Sequence, residues 1–356
     1  MDLKLKRGHH KPVLSQGRSG LLDEVATGAR LAEGAEGVRH ILRTVFLEGP
    51  IPIRDLAQRV GLPVPVVAAV RAELEKRGVL KRKAGVALTE DGQTLVRQEL
   101  GLSSQRRLPR LFHAVLPADL AGVLCRMADI CRERPEVDVR LDQSHATPET
   151  ALKRAVYLHE HDALEGRDVI ILGDDDLTSL AVGLLSSFLR LQIRNVVVLE
   201  IDRRLVDFLA AVAEEEGFAL KVIAHDLREE IPPELVAEFD VFLTDPPYTL
   251  EGLNLFVSRG ITALRQAVGK QGYICFGRRT PAETVSAIGA LTEMGLAPLE
   301  IVPDFNQYVG AQVLGGVSQM IRTVATSCLR PRITGTYTGD LYTADLKRTR
   351  RRRNGR

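Results

Sequence analysis

The sequence predicts an α/β fold in which a mostly parallel sheet is covered by helices on both faces and is preceded by a small helical domain. From residue 168 onward, continuous apolar runs alternate with helical segments, the pattern of a parallel sheet buried on both faces. Before that point, several helical segments precede a short hairpin-like stretch. The chain has 356 residues, 45% of them hydrophobic and 26% charged, which is enough for two domains with sizeable cores.

The N-terminal segments predict a winged helix-turn-helix. Apolar residues recur at helical spacing over 38–47, and shorter helices follow over 53–60 and near 64–77. Residues 79–88 then form two short strands about a glycine turn. Helix, helix, helix and hairpin is the order of a winged-helix-like domain.

Two uses of this domain are consistent with its sequence. The third helix could enter a DNA major groove, or the module could serve protein association, because a fold alone does not fix function. Glu73 and Glu75 lie on that helix and would repel phosphates. The basic residues that favour DNA are Lys76, Arg77, Lys81, Arg82 and Lys83. Nucleic-acid binding is therefore possible but not favoured.

We expect four segments along the chain: a winged-helix-like domain over 1–115, a connection over 116–150, a Rossmann-like catalytic domain over 151–330, and a basic, flexible tail over 331–356. Without the basic end of the tail, the chain carries more acidic than basic residues. A solvated terminus is the simple interpretation of this end, and an arm for nucleic acid or a partner is the alternative. Its basic residues are Lys347, Arg348, Arg350, Arg351, Arg352, Arg353 and Arg356.

No apolar run is long enough to span a bilayer. The basic N-terminus, residues 1–11, lacks the apolar stretch of a secretory signal. We therefore expect a cytoplasmic location and no membrane partner.

The catalytic domain is predicted to hold a Rossmann-like sheet of the class I methyltransferase type. Its predicted helices cover 149–164, 177–191, 203–216 and 253–268. In such sheets, ligands bind at the carboxyl ends of the strands, near the point where the strand order reverses. The predicted strands are 168–172, 195–199, 219–223, 240–244 and 272–276.

Acidic residues follow four of these strands. The carboxylates that lie there are Asp174, Asp175 and Asp176, then Glu200, Asp226 and Asp245. Taken singly, Asp176 and Asp202 could each cap the helix that follows. Several carboxylates on one rim, however, raise each other's pKa and cost stability unless a cation offsets them. The rim therefore predicts a binding site for a cationic ligand.

The same residues indicate which nucleoside would bind. Glu200 can hold both ribose hydroxyls, and Asp226 can accept a hydrogen bond from an adenine amino group. A dinucleotide would need GxGxxG after the first strand, but Gly173 is followed by three acids. Ordinary S-adenosylmethionine carries a carboxylate that these acids would oppose. Decarboxylated S-adenosylmethionine, which carries a sulfonium and an ammonium, fits better. We expect no metal, because the histidines are scattered.

The tetrapeptide from Asp245 to Tyr248, Asp-Pro-Pro-Tyr, follows the fourth strand. In amino-methyltransferases such a loop holds the target nitrogen with its acid or amide side chain and a proline carbonyl, while the aromatic ring packs beside it. The two prolines fix the dihedral angles of the loop. A rigid turn without chemistry is the alternative.

Together, Gly-Asp-Asp-Asp at 173–176 and Thr-Asp-Pro-Pro-Tyr at 244–248 resemble the branched-chain polyamine synthases, or N4-bis(aminopropyl)spermidine synthases. The likeness includes the loop from Gln143 to Thr147 and covers nearly the whole chain. It implies two aminopropyl transfers from decarboxylated S-adenosylmethionine to the secondary amine of spermidine, with methylthioadenosine as by-product. It also implies a cytoplasmic homodimer, typical of thermophiles, in which Asp175 is the catalytic candidate.

The resemblance and the strand ends together assign roles to ten residues. Catalysis is assigned to Asp175 and Asp245. Binding of the decarboxylated S-adenosylmethionine is assigned to Gly173, Asp174, Glu200, Asp226 and Gln143, and binding of spermidine or a related polyamine to Asp176, Tyr248 and Glu251. One rival function is an S-adenosylmethionine-dependent amino-methyltransferase acting on a nucleic-acid base, which the acidic rim opposes. The other is a DNA-binding regulator that senses polyamines.

Overall fold

The computed structural model describes residues 20–104, 115–277, 280–309 and 316–342. The chain forms two compact units, of which the first ends at Gln93 and the second begins at Thr94. The predicted domain boundary at residue 115 and the predicted connection over 116–150 therefore both lie within the second unit. Among the described residues, no helix is long and apolar enough to cross a membrane.

The first unit confirms the predicted order of helices and hairpin and adds a helix at each end. In α2, Val38, Ile41, Leu42 and Val45 are all buried at helical spacing, which is the pattern seen in the sequence. The elements are α1 (Gly20–Ala29), α2 (Gly34–Glu48), α3 (Ile53–Val60), α4 (Val64–Lys76), β1 (Leu80–Arg82), β2 (Val86–Leu88) and α5 (Glu90–Gln98), the last of which ends in the second unit.

Acids on α4 neutralise the basic residues at its end. Glu73 accepts hydrogen bonds from Lys76 Nζ and Arg77 Nη1, each at 2.6 Å, and these bonds lower the pKa of Glu73. Glu75 accepts from Arg82 Nε at 3.1 Å. Three of the basic residues that favour DNA are thus paired with acids of the same helix, and DNA binding stays a prediction.

The second unit is built around one seven-stranded sheet in the order β5-β4-β3-β6-β7-β9-β8. Strands β3 to β7 are parallel, and β9 and β8 are antiparallel to their neighbours. The helices are α6 (Ala121–Glu133), α7 (Pro148–Glu160), α8 (Thr178–Leu189), α9 (Arg203–Glu216), α10 (Leu250–Ala263) and α11 (Pro281–Glu293). The strands are β3 (Asp168–Leu172), β4 (Asn195–Glu200), β5 (Lys221–Ala224), β6 (Val241–Thr244), β7 (Gln271–Gly277), β8 (Leu296–Gln307) and β9 (Val317–Ala325).

All five predicted strands are present, with bounds that differ by at most two residues. The sheet is covered on both faces, as predicted. Alternate residues of β3 face opposite layers: Val169 and Ile171 pack with α6 to α9, whereas Ile170 and Leu172 pack with α10 and α11. The antiparallel strands β8 and β9 were not predicted.

The strand order reverses at β3, which has β4 on one side and β6 on the other. Leu172 at the end of β3 pairs with Leu199 and with Thr244. The residues that follow these strands therefore leave the sheet at the same level. This is the crevice in which open α/β sheets bind ligands.

The part of the predicted tail that the structure describes is packed against α10. Leu341 and Tyr342 are buried, and Leu341 O accepts a hydrogen bond from Thr249 Oγ1 at 3.0 Å. Arg259, buried in α10, donates to Gly335 O at 2.6 Å. Residues 331–342 are thus part of the fold, and 347–356 lie outside the described residues.

Candidate active site at the carboxyl ends of the strands

A tight loop after β3 presents the three consecutive aspartates. Gly173 opens the loop with a φ of 74°, and Leu177, which is fully buried, closes it in the left-handed region with a φ of 58°. A leucine there costs backbone strain, of the kind that persists at functional sites when packing enforces it. The left-handed residues at both ends turn the chain back sharply, so successive aspartates point in different directions.

Asp174 points inward and caps α8. Its Oδ1 accepts from Thr178 N at 2.7 Å and its Oδ2 from Ser179 N at 3.0 Å. The cap considered for Asp176 is therefore formed by Asp174. Burial raises the pKa of Asp174 to about 7, although these hydrogen bonds lower it in part. Since its carboxylate faces the first amides of α8, Asp174 can act on a ligand in the crevice only through its charge, at a distance, and not by direct contact.

Glu200, the last residue of β4, connects two loops at the rim. Its Oε2 accepts from Asp174 N at 2.8 Å and its Oε1 from Asp202 N at 2.9 Å. Burial raises its pKa. Asp202 caps α9 as considered in the sequence, by accepting from Arg204 N at 3.0 Å. Each carboxylate oxygen of Glu200 retains a further lone pair, which is what ribose hydroxyls would need.

Backbone amides of the loop between Gln143 and Thr147 hold the next two aspartates. Ser144 N donates to Asp175 Oδ2 at 3.1 Å, and Ala146 N donates to Asp176 Oδ1 at 2.7 Å. Gln143 Nε2 donates to Asp202 at 3.3 Å. This loop therefore joins the ends of β3 and β4, and Thr147 then caps α7.

Asp175 is the aspartate that the protein leaves most available. Its side chain is half-buried, and its Oδ1 makes no hydrogen bond with the described residues. Burial, followed by the charges of Asp176, Glu200 and Asp245, raises its pKa well above the usual range. A carboxylate with a raised pKa is suited to accept a proton from an ammonium group.

A buried arginine, which was not among the predicted site residues, lies between two of the carboxylates. Arg154 on α7 is 1% exposed. Its Nη1 donates to Asp176 Oδ2 at 2.6 Å and its Nη2 to Asp245 Oδ2 at 2.7 Å. Its Nε donates to Asn306 Oδ1 on β8 at 2.8 Å. One guanidinium thus binds groups from β3, β6 and β8.

Arg154 separates the pKa values of its two acidic partners. Burial disfavours the charged form of Asp176, but Arg154 and the hydrogen bonds to Asp176 outweigh burial and lower its pKa. For Asp245 burial prevails, and its pKa is raised to about 7 despite Arg154. One positive charge is not sufficient to keep both carboxylates strongly acidic.

The Asp-Pro-Pro-Tyr loop is held by a hydroxyl network. Tyr308 OH donates to Asp245 Oδ2 at 2.6 Å and accepts from Tyr248 OH at 2.8 Å. The Tyr248 ring meets Phe276 edge-on, with centroids 5.7 Å apart. A Cβ at Gly277 would lie 2.7 Å from that ring, so only glycine fits there. Tyr308, which follows β8, is a second site residue absent from the prediction.

Asp226 and Glu251 lie at the margins of this cluster. Asp226, after β5, is half-buried and accepts from Arg228 N at 2.9 Å. Glu251, in the first turn of α10, is half-buried and makes no hydrogen bond or ion pair with the described residues. A cavity of ≈ 660 Å³ opens beside the end of β4, lined by Val137, Asp138, Val139, Arg140, Leu141, Ile201, Asp202, Arg203 and Arg204.

The five predicted carboxylates therefore lie close together, as their hydrogen bonds and mutual charge repulsion show. They are Asp174, Asp175, Asp176, Glu200 and Asp245. Their individual roles stay predictions. Arg154 carried a signal in the sequence: it lies four residues after Thr150 and four before Leu158, both fully buried, so it occupies the buried face of α7. Within the described residues, no group of histidine, cysteine or acidic side chains is arranged to hold a metal.

Residues 122–339 match the family model of the branched-chain polyamine synthase A C-terminal domain. The chain belongs to this family. Branched-chain polyamine synthases are aminopropyltransferases, so the predicted family and enzyme class are confirmed. Residues 38–81 match a model described as winged helix-turn-helix DNA-binding, which confirms the predicted fold of that domain.

Relatives of the chain include N(4)-bis(aminopropyl)spermidine synthases. The one from Thermococcus kodakarensis is 32% identical over 76% of this chain and 77% of its own length. The one from Thermus thermophilus is 35% identical over 71% of each chain. The crystal structure of the Thermus thermophilus branched-chain polyamine synthase in complex with N4-aminopropylspermidine and 5'-methylthioadenosine has a TM-score of 0.56 and 27% identity, and the match covers 92% of this chain and 98% of that one.

Two proteins of Methanocaldococcus jannaschii are similar to this chain to different degrees. One, described as an uncharacterized protein, is 37% identical to this chain over 85% of its length. The other, an N(4)-bis(aminopropyl)spermidine synthase, is 28% identical over 81%. This chain therefore shares more with the former than with the latter.

Proposed function

We propose that this protein transfers aminopropyl groups from decarboxylated S-adenosylmethionine to the secondary amine of spermidine, giving a branched polyamine and 5'-methylthioadenosine. The observation that carries the proposal is the charge balance at the sheet's carboxyl edge, where five carboxylates cluster and the one fully buried guanidinium that contacts them binds two, Asp176 and Asp245. Such an edge favours cations, and both substrates are cations. The names of the Thermococcus and Thermus relatives, and the ligands in the Thermus complex, support the same substrates.

We assign the donor to the side of the site formed by β4 and β5. Glu200 would accept from the ribose hydroxyls and Asp226 from the adenine amino group, as the sequence predicts. Gly173 N donates to the backbone oxygen of Leu199, the residue before Glu200, and Gln143 donates to Asp202 in the loop after β4. Asp174 adds negative charge behind the loop, which favours a sulfonium over a carboxylate.

Asp175 would take the proton that makes the acceptor reactive. A secondary amine near pH 7 is mostly protonated, as Lys is with a pKa of about 10.4. After Asp175 removes that proton, the nitrogen lone pair attacks the carbon next to sulfur. The carbon–sulfur bond breaks and its electrons go to sulfur, which leaves methylthioadenosine neutral. Asp245 and Tyr248 would hold the nitrogen in line, and positioning supplies much of the rate.

A second transfer differs in its proton balance. The product of the first transfer is a tertiary ammonium. Once Asp175 has released its first proton to solvent, this nitrogen can lose its proton to Asp175 and attack. The resulting nitrogen is quaternary and has no proton left to lose. Asp176 and Glu251 would bind the terminal ammonium groups in both rounds, Asp176 through its remaining charge beside Arg154 and Glu251 directly.

The decisive experiment is mass spectrometry of the products from four mixtures. Spermidine or spermine is incubated with the decarboxylated donor, and nucleic acid or spermidine with S-adenosylmethionine. We expect one and then two aminopropyl additions in the first mixtures. Methyl addition to nucleic acid, with no aminopropyl product, would replace this proposal with the amino-methyltransferase. Spermine is included because the relative that is 37% identical has no assigned acceptor.

A further inference from the structure

The acidic edge contains a feature that cation binding alone does not require. Arg154 is one of the largest fully buried side chains in the described part of the chain, and it lies behind the carboxylates that should attract cations. Its guanidinium contacts Asp176, Asp245, Asn306 and Tyr308, the last through Nη2 at 2.9 Å. A planar fork with several donors can satisfy acceptors on separate strands at once, which a lysine cannot.

Arg154 divides the aspartates into two kinds. Asp176 and Asp245 each give an oxygen to its guanidinium at 2.6 and 2.7 Å. Asp175 receives only the backbone N–H of Ser144, and its other oxygen is open. A ligand nitrogen that enters this cluster therefore meets Asp175 as an accessible acceptor, with a fixed positive charge behind the other two carboxylates.

The reaction needs one nitrogen in an unusual state. The terminal amines of the acceptor can stay charged, but the attacking nitrogen must be neutral. A neighbouring positive charge disfavours an ammonium group, because like charges repel more strongly where water is excluded. A guanidinium fixed behind Asp245 thus weakens the preference of the carboxylates for an ammonium group at that position.

We propose that Arg154 is a positioning residue that acts through Asp176 and Asp245, so that the central nitrogen of the bound acceptor gives its proton to Asp175 and is then held in its uncharged form. The inference rests on the proposed function for its substrate. It adds a role for a residue outside the two sequence motifs.

All elements around Arg154 contribute groups that must be considered together. Asp176 and Asp245 face it directly, and Tyr308 donates to Asp245. Tyr248 lies behind Tyr308, and burial raises the pKa of the Tyr248 hydroxyl and of the Cys275 thiol, so both stay neutral near pH 7. Asp175 and Glu200 are the remaining acidic groups of the cluster, and neither can carry a positive charge. Arg134, half-buried at the end of α6, donates to the backbone oxygens of Asp175 at 3.2 Å and Ala146 at 3.3 Å. Among these described groups, Arg154 is therefore the cation that binds the aspartate carboxylates themselves.

The first test is the pH profile of transfer in Arg154→Met and Arg154→Lys. In the Met variant, two unpaired carboxylates would favour the ammonium form of the acceptor. We expect the acid limb of kcat to move up by at least about one pH unit, a tenfold loss at a pH on that limb, with an acceptor KM that is unchanged or lower. In the Lys variant the acid limb should move by less, because Lys keeps the positive charge but lacks the several donors of the planar guanidinium.

The second test needs no turnover. Spermidine and 1,8-diaminooctane differ in the central nitrogen, which the diamine replaces with a methylene group. Calorimetry with methylthioadenosine present gives the affinity of each. We expect the preference for spermidine to rise at least tenfold in Arg154→Met, because the unpaired carboxylates would attract a central ammonium.

Arg167→Met is the matched control. Arg167 is buried and pairs with Asp162 at 2.9 Å, before the amino end of β3, so its loss should lower stability without moving the acid limb or the preference. If folded Arg154→Met has the same acid limb of kcat and the same preference for spermidine over 1,8-diaminooctane as wild type, the proposal is overturned. If that variant does not fold, Arg154→Lys is judged by the same two measurements. If the wild type transfers nothing, the proposed function fails, and the calorimetric preference alone decides the role of Arg154.

Discussion

The two ends of the same strands carry buried carboxylates in opposite surroundings. At the amino end, Asp168 accepts from Arg194 at 2.5 Å and Arg265 at 2.9 Å. Asp240 there lies 2.8 Å from Lys270 and 3.0 Å from Arg265. At the carboxyl end, Arg154 binds Asp176 and Asp245, while the neighbouring acids have no ion pair with a basic side chain of the described residues. These neighbours are Asp174, Asp175 and Glu200.

The pKa values follow this difference. Burial alone would raise the pKa of Asp240, but Lys270, Arg167 and Arg265 lower it below the usual range. Burial raises the pKa of Asp245 to about 7, and Arg154 does not compensate. The carboxylates at the amino end are therefore neutralised by basic side chains of the protein. At the carboxyl end negative charge is in excess, and a cationic ligand can neutralise it. The variants and conditions below test this contrast, beginning with the largest expected effect.

Asp240→Ala should have the largest effect, and on stability. It removes the buried carboxylate that binds Lys270 at 2.8 Å and Arg265 at 3.0 Å, and removing one member of a buried pair costs about 3–5 kcal/mol. We expect the free energy of unfolding in urea to fall by that amount. Turnover at a temperature where the variant is folded should stay near wild type. A stable variant with lost activity would mean that the two ends are not independent.

Asp175→Asn should have the next largest effect, and on catalysis. The amide keeps the size of the side chain and can still accept from Ser144 N. We expect turnover to fall at least ~100-fold, the lower bound for loss of a general base, with an unfolding temperature equal to or above wild type because one like charge is removed. Initial rates and thermal melts measure both. Turnover close to wild type would exclude Asp175 as the base.

The stability of the ligand-free protein should fall as pH rises from about 5 to 8. Asp174 and Asp245 have pKa values of about 7 when folded, against about 4 for an unfolded Asp. The folded state therefore holds more protons in this range, and the stability they confer is lost as pH passes 7. Calorimetric melts at several pH values measure the slope.

Ligands should reverse this trend. Saturating spermidine and methylthioadenosine provide the missing positive charge, so the melting temperature should become flat or rise with pH. A ligand-free protein that is equally stable at pH 5 and pH 8 would contradict the charge deficit at the carboxyl end.

Glu251→Gln should have the smallest effect. Glu251 is half-buried and has no hydrogen-bond or ion-pair partner among the described residues, so it can bind an ammonium only as a partly exposed charge. Such pairs contribute about 0.2–1 kcal/mol, which predicts a KM for spermidine raised about fivefold at most, with kcat unchanged. Glu293→Gln, on the exposed end of α11, is the control and should change neither constant. Equal KM values for wild type and Glu251→Gln would remove Glu251 from the site.

The sequence was sufficient for the five parallel strands of the sheet and for the position of the rim, because both follow from local patterns. Residues 168–172 form an unbroken apolar run, and the observed strand has the same bounds. Once five parallel strands are placed, the residues after them must share one edge. This is why Asp175, Glu200 and Asp245 could be grouped without a structure.

The remaining parts depend on contacts between distant segments. Strand β8 contains Pro298 and Pro303 and has register shifts near both, so its sequence lacks a strand's simple alternation. Tyr308 and Asn306 were missed with it. Which aspartate of 174–176 caps α8 depends on the left-handed backbone at Gly173 and Leu177, which packing imposes on the leucine.

The hydrogen-bond partners of Arg154 lie far apart in the sequence, which affects when the site is completed during synthesis. Its acidic partners belong to β3 and β6, but Asn306 and Tyr308 are added some 60 residues after Asp245. A nascent chain released from the ribosome as far as residue 300 would contain every motif aspartate and the arginine, yet lack the two side chains that orient the guanidinium. Catalytic competence should therefore appear late in translation, after the parallel strands have emerged.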